Sequence, residues 1–340
     1  MSELFEGGAN PCMGKPGRRC SLERETINDK APGPDEVLIE VLYCGLCHSD
    51  LLRIDSERTA DAPPAVSGHE VVGRIVAAGH QVDPKRIGNL VGLGFIAGTC
   101  RHCDFCLGGR QTLCADLEST IIDRPGGFAS HVRAHQDWAI PLPKDMDPKT
   151  AGPLFCAGVT VFEPLFSGNI SPTARVAVIG VGGLGHLALQ ICRAWGCHVT
   201  GISRSPSKDQ EILNFGAHAV QRLGELDRCQ KQFDLIINTS DHELDWDAVI
   251  GALAPQGCLH QLGLCKSPIP LKVFPFVKGN LSFRGSLTST PTGTQRMLDF
   301  CSRHAISPKV ELLPMAEINT AISRLRKGNV RYRFVLEGPA

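Results

Sequence analysis

A cluster of four cysteines is the clearest chemical feature of this 340-residue sequence. The cluster consists of Cys100, Cys103, Cys106 and Cys114, at spacings that suit metal ligands. Four thiolates complete the tetrahedral coordination of zinc and leave no position open for a substrate. The cluster therefore predicts a structural zinc site in a lobe that spans residues 98–115. A nucleic-acid-binding zinc ribbon and an iron–sulfur site are the alternative uses of such spacing.

A second group of potential metal ligands is spread over three segments of the chain. These segments are Cys44 to Asp50, Gly68 to Glu70 and Phe155 to Gly158. Cysteine and histidine both bind zinc, but a single cysteine is more often a small buried apolar residue. A single histidine is likewise more often a hydrogen-bonded core or surface residue than a ligand. The residue types alone therefore leave a metal site and ordinary packing open at all three segments.

A glycine-rich motif, G-x-G-x-x-G, spans residues 180–185. It follows four β-forming residues, Val176–Ile179, and opens an apolar-periodic stretch from Leu184 to Ala194. In such a strand–turn–helix unit the glycines allow a tight turn and let backbone N–H groups approach a pyrophosphate. The motif predicts a dinucleotide site, and an ordinary glycine turn is the alternative. The residues assigned to the dinucleotide are Gly180, Gly182, Gly183, Leu184 and Gly185.

The segment after the next predicted strand indicates which dinucleotide is preferred. An NAD site normally has a carboxylate there, about 20 residues after the glycines, to hydrogen-bond the adenosine ribose. This chain has hydroxyls and cations instead, at Ser203, Arg204, Ser205 and Lys208. Such groups can bind a 2′-phosphate through charge-assisted hydrogen bonds. The segment predicts a preference for NADP over NAD, and a solvated basic turn is the alternative.

The remaining pattern predicts two domains that differ in secondary structure. Residues from about 36 to 140 are rich in glycine, proline and short β-branched runs, which favour a compact β-rich domain. A helical stretch is predicted over residues 148–166, and beyond it strands alternate with helices, as in a doubly wound parallel sheet. The pattern then predicts helices at 294–304 and 316–326 and a last strand at 333–336, which we expect to return to the first domain.

Charge and composition exclude several classes of protein. The chain holds 35 Lys and Arg against 35 Asp and Glu, so it lacks the basic footprint of a protein that binds nucleic acid or a membrane surface. The first 30 residues contain no unbroken apolar run, so neither a signal peptide nor a transmembrane helix is predicted. The 15 cysteines are an odd number and cannot all pair within one chain. We therefore expect reduced thiols, metal sites and a cytoplasmic protein.

Together these motifs resemble those of the zinc-dependent medium-chain alcohol dehydrogenases, and within them the cinnamyl-alcohol-dehydrogenase-like branch of NADP-linked aldehyde reductases. The resemblance runs from about Val37 to Leu336. It is carried by residues 44–50, 68–73, 100–114, 151–160, 180–185 and 330–335. It implies an α/β fold with a Rossmann doubly wound parallel sheet domain, residues 150–285, and a β-rich GroES-like catalytic domain, residues 1–149 and 286–340.

The resemblance also assigns the dispersed ligands. It implies that Cys47, His69 and Cys156 hold a catalytic zinc, with Glu70 close enough to exchange with the water or substrate oxygen in the fourth position. Cys44 is then not a ligand. Together with the lobe of four cysteines, this implies two zinc ions per chain. Zinc held by two thiolates and one imidazole remains a Lewis acid that can polarise a carbonyl group.

Further residues receive roles from the same resemblance. Ser49 carries the alcohol proton, Asp50 orients the metal site, and His48 lies near the cofactor pyrophosphate. These roles suit the side chains, because a hydroxyl can both donate and accept a proton and a carboxylate can orient a metal-bound imidazole. For the nicotinamide, the phosphates and the substrate cleft, the resemblance adds Thr160, Arg331 or Arg333, and Phe95.

The expected function is the reduction of aldehydes to primary alcohols, and the reverse oxidation, by hydride transfer with NADP(H). We expect a small aldehyde or alcohol as substrate and a homodimer as the assembly, with no nucleic-acid or membrane partner. A reductase of activated C=C bonds on the same fold is one alternative. A non-catalytic redox sensor that binds nucleotide and zinc and uses exposed thiols among Cys12, Cys20 and Cys229 is another.

Overall fold

The structure, a computed structural model, describes residues 8–15, 21–56 and 65–338. Cys20, one of the thiols considered for redox sensing, lies outside the described residues. The described chain forms two compact units. The first holds the residues up to Cys156, Thr290–Ser302 and the residues from Ser307 onward, and the second holds Ala157–Ser289 and Arg303–Ile306.

Runs of β-branched and other apolar residues form the central strands of the two larger sheets, such as Glu36–Leu46, Val71–Ala78, Arg175–Ile179 and Phe233–Asn238, since such side chains pack well on a pleated surface. In chain order the described strands are β1 (Gly8–Lys15), β2 (Glu23–Asp29), β3 (Glu36–Leu46), β4 (Ala65–Val66), β5 (Val71–Ala78), β6 (Leu90–Leu93), β7 (Ile96–Gly98), β8 (Glu118–Ser119), β9 (His131–His135), β10 (Ile140–Pro141), β11 (Arg175–Ile179), β12 (His198–Ser203), β13 (Ala219–Arg222), β14 (Phe233–Asn238), β15 (Leu253–Gln261), β16 (Ser282–Gly285), β17 (Val310–Pro314) and β18 (Arg333–Glu337).

The main sheet of the first unit contains seven strands. Six of them follow in the order β10, β6, β5, β3, β18 and β17, and β9 also pairs with β3. Side chains of β3, such as Val37 and Ile39, are fully buried in the core of this unit. β18 runs antiparallel to β3, with Phe334 opposite Leu46. The C-terminal strand therefore lies beside the end of β3, one residue before Cys47. Two smaller sheets, β2–β1–β4 and β7–β8, complete the strand pairing.

The second unit contains a six-stranded parallel sheet in the order β13, β12, β11, β14, β15 and β16. Numbered from its first strand, this order is 3-2-1-4-5-6, that of a doubly wound dinucleotide-binding sheet. The predicted fold class, an α/β chain that contains such a sheet and also a β-rich unit, is confirmed. β11 lies between β12 and β14. The chain adds β12 and β13 on one side of β11 and then crosses over to add β14, β15 and β16 on the other, so the strand order reverses at β11. In such sheets ligands bind at the carboxyl end of the strands at this switch point.

Helices connect the strands of the second unit and flank those of the first. The described helices are α1 (His48–Asp55), α2 (Asp104–Leu107), α3 (Pro148–Ala151), α4 (Ala157–Phe166), α5 (Gly185–Trp195), α6 (Asp209–Asn214), α7 (Trp246–Gly251), α8 (Val273–Gly279), α9 (Pro291–Arg303) and α10 (Ile318–Arg326). The predicted helices at 184–194, 294–304 and 316–326 appear as α5, α9 and α10. In the described parts of the chain, no helix combines the length and the apolar character needed to span a membrane.

The helical stretch predicted over residues 148–166 is present but divided into segments. The chain instead forms α3, a 3₁₀ turn at Gly152–Phe155, and α4 after an interruption at Cys156, whose φ of −123° and ψ of −76° are not helical. Pro153 lies in the 3₁₀ turn and has no N–H group for a continuous helical ladder. The interruption has a consequence for the site, because it places the Cys156 sulfur within 3.2 Å of His69 Nε2.

Candidate functional site

Four potential metal ligands come together in the first unit. Cys47 precedes α1, His69 and Glu70 precede β5, and Cys156 occupies the interruption before α4. Their donor atoms all lie within 4.8 Å of one another. The sulfur atoms of Cys47 and Cys156 are 3.8 Å apart. The fold thus brings together, from three distant segments, the ligand set that the resemblance implied.

The Asp50 carboxylate orients this group from behind. Asp50 is fully buried, and its Oδ2 accepts a hydrogen bond from the Cys47 N–H at 2.9 Å. Its Oδ1 accepts one from the Gly68 N–H at 2.9 Å and also lies 2.9 Å from His69 Nδ1. When the ring is neutral, a proton on Nδ1, shared with this carboxylate, leaves the lone pair of Nε2 on the side of the cysteines. That tautomer is the one that binds a metal ion through Nε2.

Burial and charge couple the proton affinities in the group. The pKa of Cys47 lies well below its usual range because Cys156 donates a hydrogen bond to its sulfur, and because Arg333 and His69 place positive charge nearby. The same hydrogen bond, together with burial, raises the pKa of Cys156 well above its usual range. Burial alone would lower the pKa of His69, but the Asp50 carboxylate raises it to about 10. The group therefore holds buried negative charge and shares protons that a divalent cation can displace.

Glu70 forms a buried ion pair with Arg333 of β18. Glu70 is fully buried, and Arg333 is 3% exposed. Arg333 Nη2 donates to Glu70 Oε1, while Glu70 Oε2 and Arg333 Nε have no hydrogen-bond partner among the described residues. Sequence reasoning placed Arg333 at the cofactor phosphates and missed this pair, because 263 residues separate the two and no local pattern joins them. Contact between Arg333 and a cofactor phosphate stays a prediction.

The donor set fits zinc. It combines two thiols, one imidazole nitrogen and the buried carboxylate of Glu70. Glu70 Oε2 has no hydrogen-bond partner in the described chain. Sulfur and imidazole ligands favour zinc over magnesium or calcium, which prefer oxygen ligands. Catalytic zinc sites typically use three protein ligands and leave a further position for water or substrate. Cys47, His69 and Cys156 could supply these three ligands.

Two other predicted site residues border this group. Ser49 is half-buried in the first turn of α1, with its Oγ 3.8 Å from the Cys47 sulfur. The ring of Phe95 packs edge-on against the ring of His69, with 5.8 Å between centroids and 87° between planes. His48, the first residue of α1, is exposed. A hydroxyl and an aromatic face are thus available beside the potential metal ligands.

The lobe of four cysteines forms the second candidate metal site. Its sulfur atoms, from Cys100, Cys103, Cys106 and Cys114, all lie within 4.8 Å of one another. Backbone N–H groups of His102 and Cys103 lower the pKa of Cys100 to about 6, whereas burial raises that of Cys114 to about 11. Four sulfur donors with no histidine or carboxylate in the set match a closed, structural zinc site.

Six of the described cysteines outside these groups are buried thiols, and three of them, Cys12, Cys44 and Cys229, bear on the predictions. Cys44 is fully buried, and burial raises its pKa well above the usual range. Cys12 and Cys229, considered as exposed redox-active thiols, are only 3% and 5% exposed. That expectation is wrong, because Cys12 packs in the core of the first unit and Cys229 in the core of the second. Burial raises the pKa of Cys12 to about 11 and also raises that of Cys229, which disfavours the reactive thiolate.

The glycine-rich motif forms the turn between β11 and α5, at the switch point of the parallel sheet. Gly180 adopts a φ of +84°, a left-handed conformation that favours glycine. A methyl group on Gly185 would collide with the Gly180 carbonyl oxygen, so the helix and the strand approach closely here. No side chain caps the start of α5. No side chain therefore competes with an anion such as pyrophosphate here, although the N–H groups of His186 and Leu187 donate to the carbonyl oxygens of Gly182 and Leu184.

The hydroxyl and cationic residues predicted to select NADP follow β12. Ser203 Oγ accepts a hydrogen bond from the Ser205 N–H at 3.3 Å, which shapes the turn. Lys208 Nζ donates to the carbonyl oxygen of Val181, within the glycine-rich turn, at 3.2 Å. Arg204 is exposed. The structure thus joins the segment from Ser203 to Lys208 to the glycine-rich turn, although the two are separate in the sequence.

Two predicted cofactor residues lie elsewhere in the two units. Thr160 is nearly buried in α4, and its Oγ1 donates to the Leu287 carbonyl oxygen at 3.3 Å. Arg331 is exposed just before β18, and its backbone N–H donates to Glu311. Their contacts with the nicotinamide and the phosphates stay predictions.

Similarity to known proteins covers residues of both units. Residues 33–144 match the family model of the alcohol dehydrogenase GroES-like domain, and residues 183–303 match that of the zinc-binding dehydrogenases. Aldehyde reductase AdhA of a Synechocystis species is 46% identical over 90% of this chain and 92% of its own length. NADP-dependent alcohol dehydrogenase C 1 of Mycolicibacterium smegmatis is 34% identical over 93% of this chain and 94% of its own length.

Solved structures agree with these relatives. A cinnamyl alcohol dehydrogenase from Sorghum bicolor has a TM-score of 0.91 and 32% identity, covering 97% of this chain and 98% of that one. The cinnamyl alcohol dehydrogenase of Helicobacter pylori, solved with NADP(H), has a TM-score of 0.89 and 29% identity at the same coverage of 97% and 98%. The chain therefore belongs to the zinc-dependent medium-chain alcohol dehydrogenases, in their cinnamyl-alcohol-dehydrogenase-like branch.

Proposed function

We propose that this chain reduces aldehydes to primary alcohols with NADPH and a catalytic zinc, and that it catalyses the reverse oxidation. The observation that carries the proposal is the buried group of Cys47, His69 and Cys156, oriented by Asp50. The relatives named aldehyde reductase and NADP-dependent alcohol dehydrogenase support the substrate class and the cofactor.

Cys47, His69 and Cys156 hold the catalytic zinc in this proposal, and the lobe of four cysteines holds a structural zinc. The catalytic zinc supplies a Lewis acid, and NADPH supplies the hydride. Asp50 keeps the His69 ring in one tautomer and one orientation. Arg333 neutralises the Glu70 carboxylate, which would otherwise place an unpaired negative charge inside the site. The protein thus contributes position and charge balance.

Ser49 moves the proton. A serine hydroxyl can donate one proton and accept another, so Ser49 Oγ can protonate the oxygen of the reduced substrate. The side chain is half-buried and borders both Cys47 and the exposed start of α1 at His48. It can therefore recover a proton from the solvent side after each turnover. A positioned proton donor of this kind contributes about 10²- to 10⁴-fold to a rate.

The cofactor is held by the second unit. The glycine-rich turn and the start of α5 bind the pyrophosphate, and the hydroxyls and cations after β12 bind the 2′-phosphate. The absence of a carboxylate from the turn at Ser203 to Lys208 supports NADP over NAD. The residues proposed for these and the remaining cofactor contacts are Gly180, Gly182, Gly183, Leu184, Gly185, Ser203, Arg204, Ser205, Lys208, His48, Thr160, Arg331 and Arg333.

A homodimer formed through the edge of the parallel sheet is the proposed assembly. β16 ends the sheet, so one side of it carries unpaired backbone groups that a second copy could use. The neighbouring helix α8 buries none of its residues, and Val273, Phe274 and Val277 are 73%, 72% and 73% exposed. Exposed apolar side chains next to a free sheet edge favour a protein interface.

A reducing compartment, the cytoplasm, is the proposed location. All cysteines in the described part of the chain are free, and six of them belong to the two metal groups. Disulfide formation would remove these zinc ligands, so the sites require a reducing environment.

Neither alternative function has an observation in its favour. The ligand set of Cys47, His69 and Cys156 with a neighbouring Ser49 hydroxyl suits a carbonyl or alcohol better than a C=C bond. A redox sensor based on Cys12 or Cys229 is disfavoured because both thiols are buried.

Replacing Cys47 should remove one of two zinc ions. We expect two zinc ions per wild-type chain and one in Cys47→Ala, measured by inductively coupled plasma mass spectrometry after dialysis, with loss of aldehyde reduction. Cys44→Ala is the matched control, because Cys44 is a neighbouring buried thiol outside both metal groups, and it should retain both ions. Full zinc content in Cys47→Ala would contradict the assignment.

The reaction itself can be tested with Ser49→Ala. Wild-type enzyme should reduce benzaldehyde, cinnamaldehyde or short aliphatic aldehydes to alcohols with NADPH, more slowly with NADH, and lose this activity on zinc chelation. Ser49→Ala should lower kcat by about 10²- to 10⁴-fold while zinc content stays unchanged. Ser56→Ala, at the opposite end of α1, should remain active. Saturation of the C=C bond, or turnover indifferent to chelation, would favour the C=C reductase instead.

The dimer can be tested with charges on α8. Phe274→Glu combined with Val277→Glu should convert a dimer into a monomer in analytical ultracentrifugation, since burying two carboxylates in an apolar interface is costly. Leu107→Glu changes an equally exposed apolar residue in the cysteine lobe and should leave the mass unchanged. A dimer that survives both α8 substitutions would show that the interface lies elsewhere.

A further inference from the structure

The strand next to the proposed 2′-phosphate segment ends in an arginine that no motif identifies. Arg222 is the last residue of β13, and its partner across the parallel ladder is Ser203, the last residue of β12. Neighbouring strands lie about 4.8 Å apart, and paired residues in register present their side chains to the same face. Arg222 and Ser203 therefore lie side by side at the carboxyl edge of the sheet, where dinucleotides bind.

Asp209, the first residue of α6, holds Arg222 at this edge. Arg222 Nη2 contacts Asp209 Oδ2, and the arginine side chain is 31% exposed, so part of it is open to solvent. Arg222 Nη1 and Asp209 Oδ1 are shielded from solvent and have no hydrogen-bond partner in the described chain. A guanidinium offers five N–H donors in a fork that suits a phosphate. Part of this donor capacity is therefore unused, which is costly for a shielded group.

The charges around this edge favour an anionic ligand. Lys208 brings one positive charge to the glycine-rich turn, and Arg204 is exposed nearby in sequence. The charge of Asp209 is offset by Arg222. A phosphate monoester carries nearly two negative charges at neutral pH. Lys208 alone would neutralise about half of that charge. Arg222, whose charge is already offset by Asp209, would contribute N–H donors beside Ser203 rather than net positive charge.

We propose that Arg222 is a specificity-determining residue whose guanidinium binds the 2′-phosphate of NADP(H), and that Asp209 positions it. The proposal rests on the proposed assignment of Ser203 to Lys208 to the adenosine ribose. Sequence reasoning missed Arg222 because the residue follows an intervening helix, and only the strand register places it beside Ser203.

The test measures dissociation constants of four ligands by isothermal titration calorimetry on the full-length enzyme. The ligands are NADPH, NADH, 2′,5′-ADP and 5′-AMP, which differ pairwise in the 2′-phosphate. Arg222→Leu should raise the dissociation constants of NADPH and 2′,5′-ADP by about 10- to 100-fold, as expected for lost charge-assisted hydrogen bonds. The dissociation constants of NADH and 5′-AMP should stay unchanged. Arg228→Leu, which removes another surface arginine paired with a carboxylate, should leave all four constants unchanged.

Asp209→Asn provides a second variant should Arg222→Leu fold poorly. It removes the charge that offsets Arg222 but keeps a side-chain oxygen for the guanidinium, so NADPH should bind more tightly while NADH does not change.

Three results would overturn the proposal. Equal weakening of NADPH and NADH in Arg222→Leu would show a purely structural role. An unchanged dissociation constant for NADPH in Arg222→Leu would show that the guanidinium does not bind the phosphate. If only Asp209→Asn folds, an unchanged dissociation constant in that variant would show the same. If wild-type enzyme binds 2′,5′-ADP no better than 5′-AMP, the assignment of the whole segment fails, and this inference fails with it.

Discussion

A single buried carboxylate holds the reactive centre together. Asp50 is fully shielded from solvent, and its two carboxylate oxygens lie within hydrogen-bonding distance of three nitrogen atoms from two segments of the chain. A buried charge is costly unless it is hydrogen-bonded. The start of α1 and the segment before β5 must therefore meet at Asp50. The same contacts place the Cys47 sulfur and His69 Nε2 beside Cys156, so the ligand geometry follows from satisfying Asp50.

Close packing and a second buried charge pair complete the centre. The Gly45 N–H donates to the Glu70 carbonyl oxygen at 2.9 Å, and a side chain at Gly45 would collide with the Glu70 carboxylate. Arg333 reaches that carboxylate from β18, the C-terminal strand. Because β18 pairs with β3 next to Cys47, the register of the last strand determines the charge balance of a site built mainly from the N-terminal part of the chain.

Local patterns predicted much of this protein. The spacing of Cys100 to Cys114 and the glycines after a β-forming run indicated a zinc lobe and a dinucleotide turn, and the alternation of strands and helices indicated the parallel sheet. Other features depend on tertiary structure. The interruption at Cys156 arises inside a stretch with helical periodicity, and burial of Cys12 and Cys229 depends on packing. The pairing of Glu70 with Arg333 joins residues that no local rule relates.

The most direct test of the account is the zinc affinity of the catalytic centre in Asp50→Asn, which removes the buried charge but keeps the size of the side chain. Competition with a chromophoric chelator should show zinc bound about 10- to 100-fold more weakly at this centre, the usual loss when such an outer partner is changed, while the cysteine lobe keeps its zinc. Asp145→Asn, which alters a surface carboxylate bonded to Ser302, should leave both affinities unchanged. An unaltered catalytic-zinc affinity in Asp50→Asn would contradict the claim that this carboxylate organises the site.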